Sequence, residues 1–254
     1  MTVAAGGAVA KSEHQRVLEL QRAAWERRPL VRELYRGWYR RMGAELSAVE
    51  GPTIELGCGI GSLKEVVPEV VATDVLPTRW AEQVVDATEL PYVDGSVANL
   101  VLVDVLHHLP APLRCLEEAR RVLRPGGRMV LLEPFCSPLS RPLWKRLHHE
   151  PVTDDVDPFS DASQSGEDPW DANTALPTLI FWRDLERFQR RFPELEVVAR
   201  RRLAWLVYPL SGGFSGRQLA PYRLRRLLRR LEDALPLEGL AAFRCLVTLE
   251  RRSS

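Results

Sequence analysis

Thr53-Ile54-Glu55-Leu56-Gly57-Cys58-Gly59-Ile60-Gly61-Ser62 decides the fold. Thr53 to Leu56 is short, β-prone and mostly apolar, which predicts a strand buried in a parallel sheet, and Leu63 to Val67 continues in a helical pattern. A strand, a glycine turn and a helix start together present unpaired backbone N–H groups and the positive end of a helix dipole. Glycine at 57, 59 and 61 lets a ligand reach that backbone, so the turn suits a carboxylate or a phosphate.

Working outward, Val70 to Val75 is a second apolar run with Asp74 at its end, 13 residues after Gly61. Val84-Val85-Asp86-Ala87 repeats the pattern. An acidic strand end beside the glycine turn can accept from ribose hydroxyls, while an isolated Asp there is a turn former or cap. Asn99 to Leu106 is the strongest buried strand. It leads into His107-His108-Leu109-Pro110, a helix over Leu113 to Leu123 closed by Arg124-Pro125-Gly126-Gly127, and a strand over Arg128 to Pro134. This alternation over about 80 residues predicts a doubly wound α/β sheet. Leu195 to Ala199 and Phe243 to Glu250 supply two final strands, giving seven in all, mostly parallel with an antiparallel end.

Three readings of the turn share this geometry. A dinucleotide fingerprint, and with it an NAD(P)-dependent oxidoreductase, requires a third glycine where Ser62 stands. A tight turn without any ligand is the second. The third rests on a resemblance. Gly57, Gly59 and Gly61 with Glu55 two residues upstream, LVLVDVLHHL at 100–109 and RVLRPGGRMVLLEP at 121–134 together resemble class I S-adenosylmethionine-dependent methyltransferases, in particular the ubiquinone and menaquinone biosynthesis group. The resemblance spans about residues 50 to 135. It implies S-adenosyl-L-methionine as cofactor and methyl transfer by in-line displacement at the sulfonium. By the same resemblance Gly57, Gly59 and Gly61 meet the methionine portion, Glu55 its amino group, Asp74 the ribose, and Asp86 with Ala87 the adenine, with Asp104 counted among the cofactor contacts. A binding module that keeps the fold without catalysis is a further alternative.

Residues 1–49 are expected to form a helical cap broken near Pro29, and 50–254 the methyltransferase domain with a lid at about 135–180. In this group a lid often precedes the glycine motif, so Tyr35, Trp38 and Tyr39 are candidates for the acceptor pocket, with His148 and His149 from the second lid. His107 and His108 stand at the carboxyl edge of the sheet, where one ring could take a substrate proton, although an ionised acceptor needs no base. The stretch 150–171 carries eight acidic residues and no Lys or Arg. His148, His149 and Glu150 with Asp154 and Asp155 raise the question of a metal, and the expectation is none, since loop carboxylates are usually solvated.

Residues 181–232 hold thirteen arginines and five acidic residues, including a basic amphipathic helix at 222–231. That segment either pairs with the acidic loop or contacts a membrane surface or an anionic lipid-linked acceptor. With a net charge of +1 and no recognised module, nucleic acid is not expected. Met1 to Ala10 lacks a basic, leucine-rich leader, no apolar run reaches the roughly 18 residues of a span, and Cys58, Cys115, Cys136 and Cys245 lack ligand spacing, so a cytoplasmic protein with reduced thiols is expected. The acceptor is a small molecule or a lipid-linked one; the oligomeric state is open.

Overall fold

The computed structural model describes residues 3–148, 150–160 and 172–253. Two helices, α1 (Val3–Arg27) and α2 (Pro29–Glu45), precede β1 (Thr53–Leu56), β2 (Val71–Asp74), β3 (Gln83–Val84) and β4 (Val97–Val103). Then follow α3 (Pro112–Val122), β5 (Leu123–Pro134), α4 (Ser140–Leu147) and α5 (Leu176–Thr178), which runs through a wide turn at Leu179–Arg183 into α6 (Leu185–Arg191). The chain ends with β6 (Leu195–Leu203), α7 (Val207–Ser211), α8 (Arg225–Ala234), α9 (Glu238–Ala241) and β7 (Arg244–Arg251).

The strands make one seven-stranded sheet in the order β3-β2-β1-β4-β5-β7-β6. β1 to β5 pair in parallel; β7 inserts between β5 and β6 and runs antiparallel to both. The last pair is therefore no tight hairpin, because α7, α8 and α9 lie between its strands.

Alternation along the central strands divides the core into two layers, as a sheet covered on both faces demands. Leu100 and Leu102 of β4, Met129 and Leu131 of β5, and Val247 and Leu249 of β7 meet Leu116, Phe181 and Phe188 on one face. Val101, Val130, Leu132 and Leu246 point the other way, to Trp25, Leu30, Leu34 and Met42 of the two N-terminal helices. Pro29 opens α2 at a position where a missing N–H costs no helical bond, which is why the helices part there.

Three local expectations are corrected. Leu63 to Val67 forms only a 3₁₀ turn at Leu63–Glu65, since Pro68 cannot donate to a continuing helix, and a single turn carries no macrodipole. The strongly apolar run ends as strand at Val103, where Asp104 adopts φ 57°, rather than reaching Leu106. Arg124 to Gly127 does not separate helix from strand; it bulges within β5, where Val97 pairs with Leu123 and Asn99 already with Arg128.

The acidic and basic segments do meet. Asp157 pairs with Arg187 at 2.9 Å, and Arg183 donates to the carbonyl oxygens of Asp154 and Val156. Asp154 itself pairs with Arg141 and Lys145 of α4. Asp161, Glu167, Asp168 and Asp171, like His149, lie outside the described residues.

Candidate active site

The carboxyl edges of β1, β2 and β4 open into a cavity of about 2090 Å³, closed over by α1, α2, α4 and the segment 208–219. Ligands of open α/β sheets bind at this edge because the strand order reverses there, here between β1 and β4. The cavity is roughly twice the upper end of the ~300–1000 Å³ usual for a small-molecule site.

Its floor is the glycine turn. Asp74 is buried at the end of β2, and its carboxylate accepts the N–H of Gly59 (3.0 Å) and of Leu76 (3.3 Å), while the Cys58 N–H donates to the carbonyl of Thr73 (2.7 Å). The turn is thus tied to the second strand rather than to a helix. Gly57 is at φ 73°, and a Cβ there would sit 2.5 Å from Val105 Cγ2. At Gly59, φ 50°, a Cβ would meet only Leu18 Cδ2 at 3.8 Å, so its place is cavity space. Gly61 is shut in by Trp80, 3.0 Å from where its Cβ would be.

Glu55 stands beneath this turn, 2% exposed and lining the cavity, and its Oε2 has no hydrogen-bond partner among the described residues. Burial and then the charge of Asp74 hold its carboxyl well above the usual range, against a smaller opposing pull from Lys64. An orphaned buried carboxylate at a backbone cradle fits a ligand with a cationic amino group. Further along the wall, Asp86 is exposed and its Oδ1 accepts both the N–H and the hydroxyl of Thr88 at 2.7 Å, the turn-former geometry, while Ala87 is buried and lines the cavity beside it.

Beyond β4 the wall is ionic. Asp104 Oδ1 pairs with Arg244 Nη2 at 2.5 Å and its Oδ2 accepts the Tyr35 hydroxyl at 3.2 Å. Arg244 is 2% exposed; its guanidinium lies 5.6–5.9 Å from the rings of Tyr208, Trp38 and Tyr35. Of the aromatic candidates, Tyr35 and Tyr39 line the cavity, the latter hydrogen-bonded to Ser62 Oγ at 2.7 Å. Trp38 does not line it; it packs behind Arg244 in the core layer under α2.

His107 is 2% exposed and carries a carboxylate at each ring nitrogen: Glu133 Oε2 is 2.6 Å from Nδ1 and Glu150 Oε2 is 3.4 Å from Nε2. Burial pulls its pKa down, but Glu133 and Glu150 push it up to about 10. Held in this way, His107 is a poor proton acceptor at neutral pH. The His108 ring lies 4.2 Å from that of His107, with Nε2 3.8 Å from Glu150 Oε1, and His148 Nδ1 is 3.6 Å from Glu150 Oε2. Glu133 and Arg244 are the residues that sequence reasoning passed over, and Glu150, singled out there only beside His148 and His149, is the hub of His107, His108 and His148. Glu133 ends β5 as Asp74 ends β2, so the same strand-end signal would have found it; nothing local marks Arg244.

Residues 54–131, from β1 into β5, match the family model described as a methyltransferase domain. Over these residues the chain is similar to methyltransferase domains. Similar proteins include the 27-O-demethylrifamycin SV methyltransferase of Amycolatopsis mediterranei, 45% identical over 101 residues, 31% of this chain and 36% of that one. An uncharacterized methyltransferase of Mycobacterium bovis is 33% identical over 130 residues, 46% of this chain and 52% of the relative. The chain therefore spans about a third to a half of the length of these two relatives. In fold it is similar to an S-adenosylmethionine-dependent methyltransferase of Archaeoglobus fulgidus, with TM-score 0.53 and 14% identity over 87% of this chain and 94% of that one. Among the described residues no helix is long and apolar enough to cross a membrane.

Proposed function

We propose that this chain transfers a methyl group from S-adenosylmethionine to a bulky small-molecule acceptor. The observation that carries the reading is the unpartnered buried Glu55 carboxylate beneath the glycine turn, at one end of a cavity far larger than a cofactor alone requires. The methyl donor supplies an electrophilic carbon on a sulfonium. Glu55 takes the donor's amino group, the backbone at Gly57 and Gly59 its methionine portion, Asp74 the ribose, and Asp86 with Ala87 the adenine; Gly61, expected from the sequence to join them, is closed off by Trp80 and only shapes the turn.

The chain's remaining work is placement and exclusion of water. Tyr35, Tyr39, His108 and Arg244 wall the space beyond the donor, and α1 and the segment 208–219 cover it. His107, engaged on both ring nitrogens, positions this wall instead of taking a proton. An acceptor that enters as an anion, or is made one at the wall, needs no further base.

Calorimetry with S-adenosylhomocysteine tests the donor site. The full chain is expected to bind it and Asp74→Ala to bind it at least tenfold more weakly; no binding by the full chain removes the proposal. Transfer of label from a methyl-labelled donor into a cell extract separates an enzyme from a binding module.

The outer surface favours a lipid-borne acceptor as the finer reading. On α8 and the turn before it, Leu224, Leu227 and Leu231 are exposed at helical spacing, with Arg223, Arg226 and Arg230 beside them, whereas Arg225 and Arg229 turn inward to Glu33. Leucines flanked by arginines suit an anionic lipid surface. Sedimentation with phosphatidylserine vesicles, reduced by Leu227→Asp and by salt, is the expected result; equal sedimentation with neutral vesicles speaks against it.

A further inference from the structure

We propose that His107, His108 and Glu150 form a binding site for a divalent transition-metal ion of the zinc class in the cavity wall beyond β4. One ligand atom from each of the three lies within 4.8 Å of the other two. His107 Nε2 and His108 Nε2 stand 3.4 and 3.8 Å from the two oxygens of Glu150. Those separations exceed the roughly 2.7–3.2 Å of a good N–H···O bond. The first matches the edge of a tetrahedron built on zinc–ligand distances of about 2.0–2.1 Å, which is about 3.3 Å, and the second, to the other oxygen, exceeds it by about 0.5 Å.

The shell behind these atoms points the same way. Glu133 is fully buried, and its Oε1 accepts the N–H groups of Val105 (3.0 Å) and Leu106 (2.8 Å). Its Oε2 lies 2.6 Å from His107 Nδ1, so the ring donates there, and a metal ion would take the place of the proton that Nε2 holds toward Glu150. A carboxylate that fixes a histidine's tautomer and ring angle is the usual support of a metal-bound imidazole. Two imidazoles and one carboxylate are also the protein donor set of zinc sites that keep a fourth position open for water or substrate. Magnesium and calcium prefer all-oxygen shells, which selects a transition ion.

All three residues line the cavity that receives the acceptor in the proposed reaction. An ion here would hold an acceptor hydroxyl or carbonyl oxygen and make the hydroxyl easier to ionise, which removes the need for a base. That role rests on the methyltransferase reading; the binding of the ion does not.

The test uses the full chain, stripped with chelator and dialysed separately against Zn²⁺, Co²⁺ and Mg²⁺. One equivalent of Zn²⁺ is expected, Co²⁺ bound with the visible absorption of low-coordinate N/O ligation, and no retention of Mg²⁺. Glu150→Gln should weaken Zn²⁺ binding at least tenfold while leaving S-adenosylhomocysteine affinity within about twofold. Glu133→Gln should weaken it about 10–100-fold through loss of ring orientation; its melting curve is recorded alongside, and if it fails to fold, His108→Ala replaces it. The proposal is overturned if the full chain retains less than half an equivalent of Zn²⁺, if Mg²⁺ binds as tightly, or if Glu150→Gln binds as the full chain does. Zinc bound without any S-adenosylhomocysteine binding would sink the donor reading alone, and the reverse would sink only the metal site.

Discussion

Gly57 and Gly59 are two residues apart in one turn, both left-handed, yet alanine should fail at them for different reasons. A left-handed L-residue costs about 1–2 kcal/mol, and Gly→Ala recovers about 0.4–1 kcal/mol by restricting the unfolded chain. At Gly59 nothing more is added, because the new methyl meets only Leu18 Cδ2 at 3.8 Å. The net loss is then about 0–1.6 kcal/mol. At Gly57 the Cβ arrives 2.5 Å from Val105 Cγ2, and the valine or the strand end must move. Overpacking of this kind adds about 1–3 kcal/mol, for a total of about 1–4.6 kcal/mol. In a chain of this size, at about 2–4 °C per kcal/mol, Gly57→Ala should melt roughly 2–18 °C below the parent and Gly59→Ala no more than about 6 °C below it. Calorimetry with S-adenosylhomocysteine supplies the second axis: Gly59→Ala, whose methyl enters cavity space, should lose at least tenfold in affinity with little loss of stability. Gly59→Ala melting lower than Gly57→Ala, or binding the ligand unimpaired, would refute the assignment of clash to one glycine and ligand approach to the other.

Two further outcomes follow from the buried charges. Because the Glu55 carboxyl is held high by burial and Asp74, it binds a proton in the folded ligand-free chain at pH values where the unfolded chain has released it. Stability of the ligand-free protein should therefore fall as pH rises above the ordinary carboxyl range toward the raised value, and binding of a cationic amino group should release the proton, so affinity rises with pH over that window. Melting and calorimetry in buffers of different ionisation heat read both, and an isosteric Glu55→Gln that keeps the same pH slope would contradict them. Arg244→Met leaves Asp104, whose side chain is 29% exposed to the cavity, without its ion-pair partner and should cost at most about 3–5 kcal/mol, whereas Arg244→Met with Asp104→Asn should recover much of that loss. Chemical denaturation of the two variants checks the cycle, and equal losses in both would show that the pair contributes packing alone.

Much of the proposed donor half was legible locally. A buried strand must be apolar, a backbone that a ligand approaches must be glycine, and an acceptor at a sheet edge must end a strand, so Glu55, Gly57, Gly59, Asp74 and Ala87 announce themselves within 35 residues of chain. Even there the helix expected after Gly61 shrinks to one turn, since Pro68 outweighs the apolar periodicity of Leu63 to Val67. The proposed acceptor half has no such local grammar. Arg244 reaches Asp104 because β7 inserts beside β5, and His107 meets Glu133 through strand pairing and Glu150 through the return of the chain after α4. Trp38 carries the same aromatic signal as Tyr35 and Tyr39, and only the packing of α2 on the sheet turns it away from the cavity. The sequence by itself determined the sheet, its two apolar faces and the cradle at the glycine turn, all of which depend on neighbours a few residues away. The tertiary structure alone decided which charged groups face one another across the cavity, because those pairs join residues 26 to 140 positions apart, and no period of two or 3.6 residues encodes them.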